Sequence, residues 1–404
     1  MNSLFKRIVA SNSGLLGDMV QLKYQAMSES AFRFFRGTCE LFYEDFHTWK
    51  QMPSSPLSWI CGDLHVENFG SYKSDDGQVY FDLNDFDEAL LAPVIWELTR
   101  MLTSIFLCFD FLEIEELKAM NMVQVFLKNY AGVLIRGKAL AIEPRVAKGI
   151  ILSFLNSVTL RKQSRLLEKR TEVKKRKRVI SLADERHFPV EGELRQELFE
   201  HLNDWINFHS KSPYNYKVKD VVFRLAGTGS VGTKRYMFLL ENTNKKGKYL
   251  IIDMKQSQPS ALDGYLTVKQ KNWDSESERV VFVQELAQHM PCALLSSTTF
   301  KGEGYVMKEM QPAEDKVKFN LIQDNYRDIY QVIDDMAALT AASHIRSSGR
   351  SGSATADELI AFGKRNGWQE QVISYAHNYA QQVKKDYSLF RSGFESGAFT
   401  GPGQ

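Results

Sequence analysis

The chain has few cysteines, no long apolar run and almost no net charge, and each shortage removes a class of protein. Four cysteines stand in 404 residues: Cys39, Cys61, Cys108 and Cys292. They form no Cys-x-x-Cys pair and no zinc spacing, which argues against a disulfide framework and a zinc module. Scattered thiols of this kind fit a reducing compartment. No segment approaches the ~18 apolar residues of a membrane helix. Lys6 and Arg7 precede Ile8-Val9-Ala10 and then polar residues, without the apolar core of a signal peptide, so the expected location is cytoplasmic. With 51 Lys and Arg against 49 Asp and Glu, the net charge of +2 gives no general pull toward nucleic acid or an anionic membrane. Internal repeats and low-complexity tracts are missing as well. What remains is an ordinary globular composition, 44% hydrophobic, long enough for one large domain or two lobes with well-formed cores.

What is there is oxygen chemistry. Gly62-Asp63-Leu64-His65-Val66-Glu67-Asn68 sets a carboxylate and a carboxamide five residues apart, a spacing that suits one short catalytic loop. A predicted hairpin follows, with Gly70-Ser71-Tyr72, the turn Ser74-Asp75-Asp76-Gly77 and the strand Val79-Tyr80-Phe81. It delivers Asp82-Leu83-Asn84-Asp85-Phe86-Asp87. In such an arrangement one Asp accepts a substrate hydroxyl proton, while the Asn and a later Asp hold the magnesium that bridges nucleotide phosphates. Extended backbone would put Asp85 and Asp87 on one face and Asp82 on the other. Neighbouring buried carboxylates repel one another unless a cation sits among them. A solvated acidic strand is the alternative, and the apolar flanks Val79-Tyr80-Phe81 and Ala89-Leu90-Leu91 weigh against it. His65 reads as a scaffold that bonds the loop backbone and holds Asp63, in preference to a proton carrier.

A second feature lies far downstream. Arg224 to Thr233 contains Gly227-x-Gly229-x-x-Gly232, with Ser230 inside it, followed by the apolar run Tyr236-Met237-Phe238-Leu239-Leu240. A polar turn then leads to Tyr249-Leu250-Ile251-Ile252-Asp253-Met254-Lys255. In dinucleotide-binding folds such a loop opens a helix. Here β-branched and aromatic residues follow the last glycine, so strand, loop, strand, turn and strand are expected, with Lys255 closing the third strand. A glycine loop over phosphates with a lysine on the third strand fits this order. Residues 275–289 are an expected helix that supplies an acidic partner to Lys255, Glu285 being the natural choice and Glu278 the alternative. Tyr305 to Pro312 reads as a strand and hinge. Long helices are expected over 329–345 and 357–394. The basic run between Arg161 and Arg178 is read as a solvated face in preference to a docking site for an acidic partner.

These motifs resemble the protein-kinase-like superfamily and, within it, the bacterial domain-of-unknown-function 2252 family. The resemblance rests on Phe34-Phe35-Arg36-Gly37, Cys61-Gly62-Asp63-Leu64-His65 with Asn68-Phe69-Gly70, and Phe81 through Glu88. It continues through Trp96-Glu97-Leu98-Thr99-Arg100, Gly227 to Gly232 and Arg279-Val280-Val281, so it covers about residue 30 to about residue 350. The Gly-Asp-Leu-His pattern followed by Asn also resembles aminoglycoside and choline phosphotransferases. In those enzymes the Asp acts as base, and the Asn and a later Asp bind metal. Asp85-Phe86-Asp87 aligns with the Asp-Phe-Gly position of kinases, with Asp87 in place of glycine, so the choice of carboxylate stays open.

The resemblance implies an α+β, bilobal, kinase-like fold in circularly permuted order, because the glycine loop and lysine follow the catalytic loop where a kinase has them first. A catalytic-loop part of a large helical lobe would span 1–213. The small β-rich nucleotide-binding lobe would span 214–310, and the hinge with the C-terminal helical part 311–404. Asp63 is expected as the base, with His65 and Asn68 beside it. Asn68, Asp85 and Asp87 are the expected magnesium ligands, and Gly227, Gly229, Ser230, Gly232, Lys255 and Glu285 the ATP site. The implied activity is phosphoryl transfer from ATP to a hydroxyl of a small molecule or protein. Nucleotidyl transfer on the same fold and a nucleotide-binding scaffold are the alternatives.

Overall fold

The computed structural model describes residues 3–15, 17–225 and 232–399. Helices and strands are both plentiful and every strand pair among the described residues is antiparallel, which makes the architecture α+β. Four short helices come first: α1 (Ser3–Ser11), α2 (Gly17–Met27), α3 (Ala31–Gly37) and α4 (Cys39–Phe46). The Ser30 hydroxyl caps α3 by accepting the Arg33 N–H at 3.1 Å. Pro53 and Pro56 end this helical stretch before β1 (Leu57–Ile60). The expected hairpin forms as β2 (Phe69–Lys73) and β3 (Val79–Leu83), and β4 (Leu90–Pro93) returns to pair with β1. One antiparallel pair, Ile60 opposite Leu90, therefore holds both ends of the segment that carries Asp63 and the acidic cluster.

Helix α5 (Ile95–Phe111) is buried from Ile95 through Phe109, as expected of a helix that is apolar nearly all round. Helix α6 (Glu116–Arg136) ends at Gly137, whose φ of +62° suits a residue without a side chain. After α7 (Gly149–Thr159), the basic run folds as α8 (Gln163–Arg170) and a hairpin of β5 (Thr171–Lys174) and β6 (Lys177–Ile180). Residues 173–177 are exposed there.

Next come β7 (His187–Pro189), α9 (Gly192–Phe208), β8 (Tyr216–Arg224), β9 (Arg235–Asn242) and β10 (Tyr249–Gln256). They are followed by α10 (Glu276–Ala287), β11 (Ser296–Phe300) and β12 (Glu303–Glu309). The sheet has the order β11-β12-β10-β9-β8-β7, with every neighbouring pair antiparallel. Strand β7 belongs to it and α9 packs on β8, so this unit starts before residue 214. Because β8 and β9 are adjacent and antiparallel, the glycine segment joins two strands instead of opening a helix. Gly227, Gly229 and Ser230 lie outside the described residues.

The chain then returns to its beginning. Strand β13 (Asp315–Lys316) adds to β2, and α11 (Tyr326–Ser347), α12 (Ala356–Lys364) and α13 (Trp368–Glu395) pack with α5, α6 and the N-terminal helices in one apolar core. Two devices tie the sheet to the Asp63 segment. The Gln311 side chain brackets the backbone of Lys73, accepting its N–H and donating to its carbonyl, each at 2.7 Å. Arg279 of α10 donates to the carbonyls of Ala89, Asp87 and Gln258, the last two at 2.9 and 3.0 Å. All four cysteines are free. Among the described residues no helix is long and apolar enough to cross a membrane.

Candidate functional site

The loop after β1 begins with a backbone requirement. Gly62 has φ +83°, and a Cβ there would collide with the Glu88 backbone. The chain therefore turns sharply against the acidic segment and presents Asp63. Asp63 Oδ1 accepts from Arg100 Nε at 2.6 Å. Arg100 is fully buried on α5, lies 4.2 Å over the Phe35 ring, and donates to the Phe35 carbonyl at 3.1 Å. Burial pushes the Asp63 carboxyl above its ordinary value, against the pull of Arg100. The second carboxylate oxygen is 3.9 Å from His65 Nε2.

Within the loop, Asn68 Nδ2 donates to the Asp63 carbonyl at 2.8 Å. With its nitrogen so committed, the Asn68 side-chain oxygen is the atom left for a ligand. His65 Nδ1 accepts the Glu67 N–H at 3.1 Å, and burial, helped by Arg36, holds the imidazole well below its usual pKa and therefore neutral. Arg36 bonds Glu67 at 2.7 Å. These contacts stay within the loop and α3. Beneath them, Glu97 is wholly buried, accepts the Cys61 N–H at 2.9 Å and meets His344 Nε2 at 2.5 Å.

The acidic cluster sorts itself by burial. Asp82 is 2% exposed and is held by Arg346 at 3.2 Å and the Leu83 N–H at 2.9 Å, a structural position. Asp85 is exposed and takes only the Asp87 N–H at 3.4 Å among the described contacts. Asp87 forms an ion pair with Lys255. Burial opposes the charge on Asp87, but Lys255 outweighs it and keeps the carboxyl below the ordinary range. Glu88 accepts the Ala261 N–H at 2.5 Å, and burial beside Asp63 and Asp87 raises its carboxyl to about 7.

Asp85 and Asp87 stand between two cavities. The larger, about 940 Å³, reaches from Asn68 and Asn84 to the sheet and is lined there by Lys255, Arg224, Arg235 and Lys308. The smaller, about 270 Å³, lies on the Asp63 side and is lined by Lys23, Arg36, Glu40 and Glu88. Asp63 and Lys255 thus face different cavities that share the two carboxylates. His65 lines neither.

The expected partnership of Lys255 with α10 is corrected. Glu285 pairs with Lys211 on the outside, and Glu278 returns to the start of its own helix, where its backbone N–H bonds Ser275. The α10 residues lining the larger cavity are Val280 and Gln284. Of the glycine set, Gly232 is described: its φ is +104°, and a Cβ would press on Leu15.

Several residues were not anticipated. Arg224 and Arg235 converge on Asp253, Arg224 Nη1 at 2.9 Å and Arg235 through contacts of 2.6 to 3.0 Å. Their charge holds Asp253 far below its usual pKa although burial opposes this. Lys308 bonds Glu314 at 2.6 Å. Asp253 was legible in retrospect, because it precedes Lys255 by two residues and so shares its strand face. The arginines flank the glycine segment on either side. Among the described residues no group of three or more His, Cys, Asp and Glu is arranged to hold a metal ion.

The family described as an uncharacterized protein conserved in bacteria, DUF2252, matches residues 15–393. The chain belongs to this family. The match takes in the Asp63 loop, the acidic cluster, the sheet and the C-terminal helices of this DUF2252 protein together. Neither a curated protein nor a solved structure matches the chain.

Proposed function

We propose that this DUF2252 protein is an ATP- and magnesium-dependent phosphotransferase acting on a hydroxyl group. The sheet with α10 is read as the small lobe of a kinase-like fold, and the helices at both ends of the chain as the large lobe, in permuted order. The observation that carries the reading is the pair of cavities meeting at Asp85 and Asp87, with Lys255 and further cations on one side and Asp63 on the other.

The larger cavity falls within the roughly 300–1,000 Å³ usual for ligand sites. Its cations suit the phosphates of ATP, and Lys255 would exchange Asp87 for a phosphate oxygen. The donor set fits magnesium. Asn68 offers a carbonyl oxygen, Asp85 an exposed carboxylate and Asp87 a second one. Asp85, Asp87 and Glu88 lie within four positions beside one space, and a cation there would relieve their mutual repulsion. Magnesium needs only one or two protein carboxylates when phosphates and waters complete its shell, so a three-residue cage is not required. Bound there, it would neutralise charge developing on the phosphates.

Asp63 is fixed by Arg100 through one oxygen, and its other oxygen is the base. It takes the acceptor proton as the acceptor oxygen bonds to the γ-phosphorus. The bond from that phosphorus to the β–γ bridging oxygen breaks, and ADP leaves with the electron pair.

One observation favours a second reading. Arg224, Arg235 and Lys308 extend the cationic wall past Lys255. A triphosphate lying along that wall would turn its α-phosphorus toward Asp63 and make the protein a nucleotidyltransferase. Incubation with γ-labelled and α-labelled ATP in a host lysate tests both. Label from the γ position alone in the product is expected, label from the α position supports nucleotidyl transfer, and nucleotide binding with neither product marks a scaffold.

A further inference from the structure

We infer that the smaller cavity is the acceptor site, and that it takes one polyhydroxylated molecule of monosaccharide or cyclitol size. The inference rests on the phosphotransferase reading and narrows it. At about 270 Å³ the cavity holds a single small ring, and Ser11, Gly14 and Leu15 of the N-terminal segment line it together with Asp63. A space of that size suits a small molecule better than a segment of a folded protein.

The chemistry of the walls narrows the class. Lys23 is 8% exposed, and its ammonium donates to Asn12 Oδ1 at 2.6 Å. An ammonium has three hydrogens, so it keeps donors for a ligand oxygen. Across the cavity, Glu40 and Glu88 offer acceptors, and Thr38 and Gln258 offer neutral polar groups. Apolar contacts come from Leu15, Pro259 and Ala261. With Asp85 and Asp87 given to magnesium, three carboxylates (Asp63, Glu40 and Glu88) and two cations (Lys23 and Arg36) remain around this one small volume, with little apolar wall to hold a hydrocarbon. A hydroxyl both donates and accepts, so a ring bearing several satisfies this lining better than a purely cationic, anionic or apolar molecule. Burial lowers Lys23 to about 8, as expected of an ammonium without a dedicated carboxylate. In this pose one hydroxyl meets Asp63 and gives up its proton there, its oxygen taking the γ-phosphoryl group while ADP departs. Neighbouring hydroxyls bond Lys23 and Glu88.

The test uses the full chain with ATP and magnesium, and follows ADP release with a panel of hexoses, pentitols and inositols. Ethanolamine, choline and a serine-containing peptide are the comparison set. At least one polyol should raise ADP release well above ATP alone and should itself gain phosphate. Lys23→Met should raise the KM for that polyol by ~10–100-fold, the loss of one charge-assisted hydrogen bond, with a much smaller change in the KM for ATP. Gln258→Ala, at an exposed position that tolerates change, should raise it a few-fold and guards against misfolding of the buried variant. Silence from every polyol while ATP binds and slowly hydrolyses, or stimulation by the amines or the peptide alone, overturns this inference and leaves the phosphotransferase reading standing. Failure to bind ATP at all overturns both.

Discussion

The two sides of the Asp85–Asp87 ridge are built in opposite ways. On the Asp63 side two carboxylates are locked to buried partners: Asp63 to Arg100, and Glu97 to the Cys61 backbone and His344. Arg100 and Glu97 are inaccessible, so no ligand competes for them. On the sheet side, Lys255 and Lys308 make ion pairs too, but with Asp87 and Glu314, part-exposed carboxylates that line the same cavity. Those pairs sit where the proposed function puts the phosphates. The difference teaches that an ion pair beside a site has two uses. On the proposed reading, a buried partner fixes the base, whereas a partner inside the cavity keeps a phosphate-binding group charged and oriented until a ligand replaces it.

The sharpest way to break this comparison is at Asp63. Asp63→Asn keeps the shape and removes the base, so turnover should fall by ~10²–10⁴ while ATP affinity holds. In the unchanged chain, turnover should drop as pH falls through the Asp63 pKa, because a base must be deprotonated. Burial raises that pKa, so the acid limb should lie above the ordinary Asp value. A pH–rate profile measures it, and a rate independent of pH across this range would remove Asp63 from the mechanism.

Next in size is the buried partner. Arg100→Met leaves Asp63 without its counter-ion, which costs about 3–5 kcal/mol in comparable buried pairs. Denaturant unfolding measures the loss. A change below about 1 kcal/mol, the worth of a solvated pair, would place Asp63 and Arg100 in the same class as the sheet-side pairs.

Lys255→Met tests the other side. If its bond to Asp87 is exchanged for a phosphate, nucleotide affinity should weaken by ~10–100-fold, the worth of a charge-assisted hydrogen bond. Stability should change little, since this lysine borders a cavity. Calorimetric titration with ATP separates the two quantities, and a stability loss with unchanged affinity would make the pair structural.

The smallest effect is expected at Glu285. Its pair with Lys211 is partly solvated, so Glu285→Ala should change stability by less than about 1 kcal/mol and leave nucleotide binding alone. Gln284→Ala, one residue away on the cavity side, should be the more sensitive position. The reverse ranking would restore Glu285 as the partner of Lys255 in a rearranged state.

Much of the site was local and therefore legible. Asp63 and Asn68 share one loop, and the Asn68 amide reaches the Asp63 carbonyl because five residues span that turn. The β2–β3 hairpin followed from its turn residues. The order of β8, β9 and β10 followed from apolar runs separated by polar turns. Residue choice on α10 was harder, because this helix is buried over a wide arc that includes Ser277, Arg279, Val280, Val281, Val283 and Gln284. Such a helix lacks the clean polar face that would show which side meets the strand. The acidic cluster was harder still: three Asp residues within six positions differ only in their surroundings.

The amino-acid order by itself determined the elements, the spacing of Asp63 and Asn68, the strand that ends in Lys255, and an α+β chain. Those are properties of neighbouring residues, set by turn chemistry and by the period of apolar side chains. The tertiary structure alone decided the partners. It buried Asp82 against Arg346, set Lys255 on Asp87 across 168 positions, brought Arg224 and Arg235 onto Asp253, and divided the space around Asp85 into two cavities. Charge pairing acts over a few ångströms of space and is indifferent to separation along the chain, so only the folded packing could settle it.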